Sequence, residues 1–419
     1  MAQGYDTEEQ KERVLLVGVQ LDNQEDMESS LEELKALAKT AGAETVGKVI
    51  QPRDAYHPAT YIGKGKLEEV RSLIEETGAT GIICDDELSP AQLRNLEDAL
   101  GTKVMDRTMV ILDIFASRAT TSEGKIQVEV AQLKYRSTRL TGLGTTLSRL
   151  GGGIGTRGPG EKKLETDRRI IRDRISRLSK DLEEIKNHRE VARQNRSRTA
   201  VPVAAIVGYT NAGKSTLLNY MTDAGILSED KLFATLDPTT RAMNLPNGEK
   251  ILLTDTVGFI RKLPHNLIEA FKSTLEEAKY ADIIVHVVDA SSPDRDIQMD
   301  VVYKTLKELE VGDKPVVTLF NKCDKFENGD TEAPVLRDFK ADETAYISAR
   351  TGSGIADFEA ILEKIIRESR VHLVQTFAYA DAGKIQQIRA QGQLIKEEYT
   401  ENGIEAEAYV PKALYQKLQ

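Results

Sequence analysis

A glycine-rich string of the phosphate-loop type is the clearest chemical signal in the sequence. It fits G-x-x-x-x-G-K-[ST] and reads Gly208-Tyr209-Thr210-Asn211-Ala212-Gly213-Lys214-Ser215, with Thr216 continuing it. The apolar run 203–207 precedes it and an apolar helix pattern follows, which is the context that such a loop requires. Backbone N–H groups would surround phosphates at the helix N-terminus, Lys214 would face the β- and γ-phosphates, and the Ser215 hydroxyl would bind Mg²⁺. The string therefore predicts a nucleotide-binding site.

A second string, Asn-Lys-Cys-Asp at 321–324, predicts that the base is guanine. Asp324 can accept hydrogen bonds from both N1–H and the 2-amino group of guanine. Adenine lacks this donor pair and would leave the carboxylate buried and unpaired. We expect Asn321 to brace the loop and Lys322 to lie along the base.

Two further strings complete the predicted site. Ser348, Ala349 and Arg350 follow an apolar strand pattern, which places the Ala349 N–H to meet the guanine O6. Between the two loops lie Asp255, Thr256, Val257 and Gly258 at the end of another apolar run. Asp255 would hold Mg²⁺ through water, and the Gly258 N–H would sense the γ-phosphate, as in a second switch of a GTPase. We predict catalytic roles for Lys214 and Gly258.

The first switch is predicted at 233–240, where Phe233, Ala234 and Thr235 would contact the nucleotide. One threonine should close over Mg²⁺, and chemistry alone leaves Thr235, Thr239 and Thr240 open. Phe259 stands where a Ras-like GTPase keeps a glutamine to orient the attacking water, so we expect slow intrinsic hydrolysis that a partner accelerates. Asn211 resembles the asparagine of GTPases that use K⁺ at the phosphates, which predicts K⁺ as a second cation.

The charge of the chain is unevenly distributed. Its 419 residues carry a net charge of −10, yet residues 134–200 hold 18 Lys/Arg against 8 Asp/Glu, which makes this segment +10 and the remainder −20. Such asymmetry is typical of a localised surface that binds a polyanion. The acidic N-terminus lacks a signal pattern, the apolar runs are too short to span a bilayer, and Cys84 and Cys323 show no metal-like spacing. We expect a cytoplasmic protein, a monomer in preference to an oligomer.

Periodicity predicts an α/β fold in four parts. Residues 1–118 alternate strand and helix patterns, as expected of a small parallel-sheet domain. Residues 119–198 have helical periodicity, residues 199–369 form the nucleotide-binding domain, and residues 370–419 a short α/β tail with strands at 371–378 and 404–410 and a helix near 383–400.

The helical segment predicts an antiparallel hairpin with a basic tip. Apolar seams run through Ile126, Val130, Leu133 and Leu140, and through Leu164, Ile171, Ile175, Leu178, Leu182 and Ile185. Between them, residues 142–160 contain eight glycines, basic residues and no acidic residue. We interpret this loop as a probe, with two separate helices and a glycine linker as the alternatives. A Gly-Lys-Gly-Lys string at 63–66 is better read as a strand-to-helix turn than as a phosphate site.

Taken together, these strings resemble the HflX family of ribosome-associated GTPases over nearly the whole chain. The resemblance rests on 106–115 (Asp-Arg-Thr-Met and Ile-Leu-Asp-Ile-Phe), on 127–135, on the glycine-rich 151–161 and on 233–239. It implies that Thr235 is the magnesium ligand of the first switch beside Ser215, which gives Thr235 a catalytic role together with Lys214 and Gly258. It also implies that the glycine-rich loop and residues 134–198 reach the RNA of the large ribosomal subunit, and that GTP drives dissociation or rescue of ribosomes. A GTPase of ribosome assembly or tRNA modification and a nucleotide-sensing adaptor remain alternatives.

Overall fold

The fold is described from a computed structural model of the chain. It describes residues 11–21, 26–140, 159–197, 201–222, 232–233, 239–264, 267, 277–327 and 335–418. Most of the predicted loop 142–160, together with Ala234 and Thr235, lies outside these residues. The chain forms two compact units, the first comprising 1–184, 229–236 and 260–272, and the second 185–228, 237–259 and 273–419. The four-part division stays a prediction.

A four-stranded parallel sheet organises the first unit. Its strands are β1 (Arg13–Gln20), β2 (Glu44–Pro52), β3 (Gly81–Cys84) and β4 (Lys103–Asp106), in the order β2-β1-β3-β4. Its helices are α1 (Met27–Thr40), α2 (Lys64–Thr77), α3 (Pro90–Leu100) and α4 (Arg107–Arg118). The central strand β1 is buried almost throughout, as an apolar strand covered by helices on both faces should be. The predicted parallel-sheet domain is confirmed.

Local signals set the helix bounds of this unit. Ser89 and Gln92 form a reciprocal capping box at the start of α3, with Pro90 in the first turn. Gly78 and Gly101 end α2 and α3 in the left-handed conformation. Gly63 lies just before α2 and donates its N–H to the Gln51 side chain over 2.8 Å. Gly63 is therefore the N-cap of α2 and residues 64–66 belong to its first turn, so the predicted strand-to-helix turn is instead a helix start well after the end of β2.

Two long helices follow, α5 (Ser122–Leu140) and α6 (Pro159–Ser197). They lie side by side where Arg174 of α6 donates to Glu129 of α5 over 2.8 Å. In α6 the predicted seam residues from Ile171 to Ile185 are less exposed than their neighbours, and Leu178 is buried. In α5 the seam prediction was only partly right, because Val130 is buried but the most buried face consists of Gln127, Val128, Ala131 and Tyr135. Tyr135 donates to Asp106, so this face packs on the α/β core.

A six-stranded sheet organises the second unit, in the order β10-β9-β8-β5-β7-β6. The strands are β5 (Val203–Gly208), β6 (Thr239–Asn244), β7 (Lys250–Asp255), β8 (Ile283–Asp289), β9 (Val316–Asn321) and β10 (Glu343–Tyr346). The described helices are α7 (Lys214–Thr222), α8 (Arg295–Glu308), α9 (Asp324–Glu327) and α10 (Ile355–Glu368). Only β6 runs antiparallel to its neighbour among these strands. The carboxyl ends of β5, β7, β8 and β9 therefore meet at one edge, where the predicted strings lie.

The C-terminal segment contains a three-stranded antiparallel sheet in the order β11-β13-β12. Its elements are β11 (Val371–Phe377), a 3-10 turn (Tyr379–Asp381), α11 (Ala382–Gln391), β12 (Gln393–Thr400), β13 (Gly403–Val410) and α12 (Lys412–Leu418). The helix predicted near 383–400 is present only in its first half, because α11 stops at Gln391 and Gly392 leads into β12. Pairing with β13 overrides the weak local helical pattern there. In the described residues, no helix is long and apolar enough to cross a membrane.

Candidate nucleotide site

The phosphate loop leads directly from β5 into α7. Gly208 has φ +154°, and a Cβ added there would lie 2.3 Å from Val287 O. Gly213 has φ +100°, and a Cβ added there would lie 2.2 Å from Asn321 Nδ2. Asn211 also takes a left-handed conformation, with φ 60°. These positions show why the loop needs glycine at its ends, since the chain turns tightly against two neighbouring strands. The N–H groups at the start of α7 are suited to bind phosphate.

Lys214 is the first residue of α7 and is buried. Its Nζ donates to Tyr209 O over 2.8 Å. Burial lowers the pKa of Lys214 to about 8, although the nearby carboxylate of Asp255 opposes that shift and Lys322 adds to it. A phosphate beside Nζ would favour the charged form, so this lysine is poised to gain from an anionic ligand.

Ser215 and Asp255 bring two oxygen groups together at the end of β7. The Ser215 hydroxyl donates to Asp255 Oδ2 over 2.7 Å. A hydroxyl and a carboxylate are the hard oxygen ligands that Mg²⁺ prefers, so these residues fit the ion. Bound there, Mg²⁺ would neutralise charge on the β- and γ-phosphates. Of the three threonines left open, Thr239 and Thr240 belong to β6, and the Thr240 hydroxyl bonds to that of Thr254 over 2.9 Å.

The predicted second switch lies against the phosphate loop. The buried Thr256 hydroxyl donates to Ile206 O over 2.7 Å, and Val257 is also buried. A Cβ on Gly258 would come within 2.9 Å of both Lys214 Nζ and Thr210 Cα. Gly258 therefore lies close to Lys214, which is predicted to face the γ-phosphate.

Phe259 belongs to the core of this unit. Its side chain is 2% exposed, and its main chain is tied to the loop by bonds from Phe259 N to Gly208 O (3.1 Å) and from Thr210 N to Phe259 O (2.8 Å). The residue therefore fixes the backbone beside Gly258, and its ring offers nothing to orient water.

Asn321 joins three loops of the site. Its buried amide donates to Ala212 O and accepts from Ala349 N, both over 2.9 Å. Lys322 Nζ donates to Asn211 O over 2.7 Å. Asn321 therefore connects the phosphate loop with the segment that is predicted to read the base, and the Ala349 N–H that was predicted to meet the guanine O6 donates to Asn321 in the structure.

Asp324 is oriented by Ser348. The buried Ser348 hydroxyl donates to Asp324 Oδ1 over 2.7 Å, while Arg350 is exposed. This bond fixes the carboxylate plane, and two-point recognition of guanine requires such a fixed plane.

The sequence reasoning missed Asp289 and Ser291. Asp289 pairs with Lys322 over 2.8 Å and accepts from both N and Oγ of Ser291, over 3.0 and 2.6 Å. The sequence did contain a signal for Asp289, because this aspartate ends the apolar run that forms β8. In the sheet, Asp289 lies opposite Asn321. These residues position the lysine that is predicted to line the base. Phe233 lies in the first unit, where its buried ring meets Phe115 edge-on with centroids 4.7 Å apart.

Comparison with known proteins agrees with this geometry. Three family models match, described as GTP-binding GTPase N-terminal (residues 28–116), GTP-binding GTPase Middle Region (118–196) and 50S ribosome-binding GTPase (203–322). The chain is 64% identical over 418 residues to GTPase HflX of Lacrimispora saccharolytica, which covers 100% of this chain and 98% of that protein. It is 43% identical over 373 residues to GTPase HflX of Escherichia coli, covering 88% and 87%.

The solved structure of a GTP-binding protein from the archaeon Sulfolobus solfataricus, in complex with GDP, is less similar to this chain. It is 26% identical, with a TM-score of 0.43, and the match covers 86% of this chain and 99% of that one. The family matches together cover residues 28–116, the two long helices and the nucleotide site as far as Lys322, and the relative from Lacrimispora saccharolytica covers the whole chain. Because it contains a GTPase domain and is similar to a GTPase HflX over its full length, the chain belongs to the HflX family of GTPases and is a GTP hydrolase.

Proposed function

We propose that this GTPase binds the large ribosomal subunit in its GTP form and couples hydrolysis to the dissociation or rescue of ribosomes. The observation that carries the proposal is the basic segment 134–200, which bears a charge of +10 in a chain of net charge −10. Ribosomal RNA is a polyanion, and lysine and arginine contacts to its phosphates supply much of the affinity for such a partner. The match to a 50S ribosome-binding GTPase family supports the same partner.

The shape of the helical segment suits this role. Helix α6 has 39 residues, a length of about 58 Å, and Arg169, Arg172 and Arg177 are exposed along it. The glycine-rich stretch 142–160, predicted as a loop, contains no acidic residue, and its last two residues belong to α6 in the structure. A long helix with exposed arginines, preceded in the sequence by a basic, glycine-rich stretch, suits recognition of RNA by shape and backbone phosphates.

Within the site, we propose that Lys214 and Gly258 stabilise the phosphate that is transferred to water, and that Ser215 and Thr235 hold Mg²⁺. Asn321, Lys322 and Asp324 would bind guanine together with Ser348 and Ala349. The contacts of Asn321 with two loops and of Ser348 with Asp324 support this assignment.

We further propose that turnover is slow until the ribosome orders the switches. The buried Phe259 supports this, because the position that follows Gly258 offers no side chain to orient water. High turnover of the purified protein without ribosomes would contradict it. The K⁺ proposal rests on Asn211 and fails if turnover is equal in sodium and in potassium.

Co-sedimentation with large subunits tests the partner directly. The protein is spun with subunits in GDP, GTP and a non-hydrolysable GTP analogue across a salt series. We expect binding with the analogue, weaker binding with GDP, and a steep decline with salt. Deletion of 142–160 should abolish this binding and leave nucleotide affinity unchanged. Full binding after the deletion would favour an adaptor that contacts protein, and binding confined to assembly intermediates would favour a role in ribosome assembly.

A further inference from the structure

Thr210, the third residue of the phosphate loop, buries its side-chain hydroxyl. The residue is 7% exposed, and among the residues that the structure describes its Oγ1 has no hydrogen-bond partner. The main chain of Thr210 is already engaged, because its N–H donates to Phe259 O over 2.8 Å. A buried hydroxyl without a partner is unfavourable, so such groups are uncommon in native proteins and often belong to a functional site.

Two neighbouring hydroxyls of the same site do have partners. Ser215 donates to Asp255 Oδ2 over 2.7 Å. The Thr256 hydroxyl donates to Ile206 O, also over 2.7 Å. These bonds assign Ser215 to the carboxylate of the proposed magnesium site and Thr256 to the main chain of β5. The hydroxyl of Thr210 differs from both, because it is available to a ligand.

The side chain of Thr210 lies where the last phosphate of GTP is expected. The three atoms nearest to a Cβ built on Gly258 are Lys214 Nζ at 2.9 Å, Thr210 Cα at 2.9 Å and Thr210 Cγ2 at 3.0 Å. Lys214 is proposed to face the β- and γ-phosphates, and the Gly258 N–H to meet the γ-phosphate. Oγ1 is attached to the same Cβ as Cγ2, so the hydroxyl is close to both of these groups.

A threonine hydroxyl suits this position chemically. It can donate one hydrogen bond, and a bond from a hydroxyl to a charged phosphate oxygen is stronger than a bond between neutral groups. We infer that Thr210 determines part of the preference for GTP over GDP, by donating its hydroxyl to the terminal phosphate. The inference rests on the proposed position of that phosphate beside Lys214 and Gly258.

Thr210→Val tests the inference, because valine keeps the branched shape of the side chain and removes the hydroxyl. Dissociation constants for GDP and for a non-hydrolysable GTP analogue are measured on the full chain, by competition against a fluorescent guanine nucleotide. We expect the analogue to weaken roughly tenfold or more, the scale of a hydrogen bond to a charged group, and GDP to weaken much less. Thr210→Ser keeps the hydroxyl and should keep the wild-type ratio of the two affinities.

Thermal unfolding of the nucleotide-free protein gives a second readout. The folded chain gains little from a buried hydroxyl that lacks a partner, so Thr210→Val should unfold at the wild-type temperature or above it. A clear fall would overturn the inference, because the hydroxyl would then stabilise the fold itself. Thr45→Val is the matched control, since Thr45 Oγ1 in β2 is likewise buried without a partner in the described part of the chain. It should leave the affinity ratio unchanged.

The affinity ratio decides between the remaining outcomes. An unchanged ratio in Thr210→Val would overturn the inference, and so would an equal loss of GDP and analogue affinity, because the threonine would then only shape the loop. A ratio that moves equally in Thr45→Val would also overturn it. If Thr210→Val does not fold, Thr210→Ala compared with Thr210→Ser decides in the same way.

Gly258→Ala separates failure of this inference from failure of the proposed site. The added Cβ would clash with Lys214 and Thr210, so it should weaken the analogue relative to GDP if the last phosphate lies there. A ratio that shifts in Gly258→Ala but not in Thr210→Val would refute the role of Thr210 alone. A wild-type ratio in both variants would also refute the proposed position of the phosphate.

Discussion

Replacing Asp324 with asparagine should weaken guanine nucleotides strongly and admit xanthine nucleotides. The carboxylate is oriented by Ser348 over 2.7 Å, and its two oxygens would accept from the N1–H and 2-amino donors of guanine. Hydrogen bonds to a charged acceptor contribute about 1.5–3 kcal/mol each. Asparagine loses the charge and presents an NH₂ group to a donor, so two such bonds amount to about 3 kcal/mol or more. That is roughly a 100-fold loss in affinity. Xanthine has an acceptor in place of the 2-amino group, which suits the new amide.

The assay is a competition titration of GDP, XDP and ADP against a fluorescent guanine nucleotide, or a fluorescent xanthine nucleotide for the variant. Ser348→Ala is the graded control. It removes one neutral hydrogen bond, about 1 kcal/mol, and should weaken GDP roughly fivefold. Unchanged GDP affinity in Asp324→Asn, or a larger loss in Ser348→Ala than in Asp324→Asn, would refute the assignment of Asp324 as the guanine reader.

Two further predictions follow from buried charges in the second unit. Burial lowers the pKa of Lys214 to about 8, and a bound phosphate favours its charged form. The affinity for GDP should therefore fall as the pH rises from 7 to 9, by up to about tenfold per pH unit above pH 8. A GDP affinity that does not change with pH in a titration would contradict this prediction. Asp338→Ala should lower the free energy of unfolding by about 3 kcal/mol in urea, since it leaves the hydroxyls of Tyr303 (2.6 Å) and Thr318 (2.7 Å) without their acceptor. Burial would raise the pKa of Asp338, but the hydrogen bonds that it accepts keep this pKa below its ordinary value. The contribution of Asp338 to the free energy of unfolding is therefore present at neutral pH and is lost only below about pH 4. The exposed Asp300→Ala should change stability by less than about 0.5 kcal/mol, and equal losses in both variants would show that Asp338 has no special role.

The parts that could be predicted from the sequence are those that short-range physics determines. Buried β1 is a continuous apolar run, and α3 carries its own start and stop signals in Ser89, Pro90 and Gly101. The phosphate loop and the Asn-Lys-Cys-Asp string follow strands directly, so parallel pairing brings them to one edge. Asn321, which was expected to brace its own loop, bonds in the structure to both the phosphate loop and Ala349.

The parts that could not be predicted depend on tertiary neighbours. The segment 393–400 pairs with β13, which a local helical pattern cannot reveal. Tyr135 turns α5 toward Asp106, so the buried face of that helix differs from the apolar seam. Lys262 pairs with Asp85 and Asp86, which lie 176 or more positions away in the sequence, and no spacing rule relates residues so far apart.

The most direct test of the account is a gradient profile of intact ribosomes incubated with the protein and a non-hydrolysable GTP analogue. We predict that free subunits increase, with the protein on the large subunit, and that neither effect occurs with GDP or after deletion of 142–160. Intact ribosomes that persist unchanged with the analogue, or subunits that separate equally well without the loop, would contradict the account.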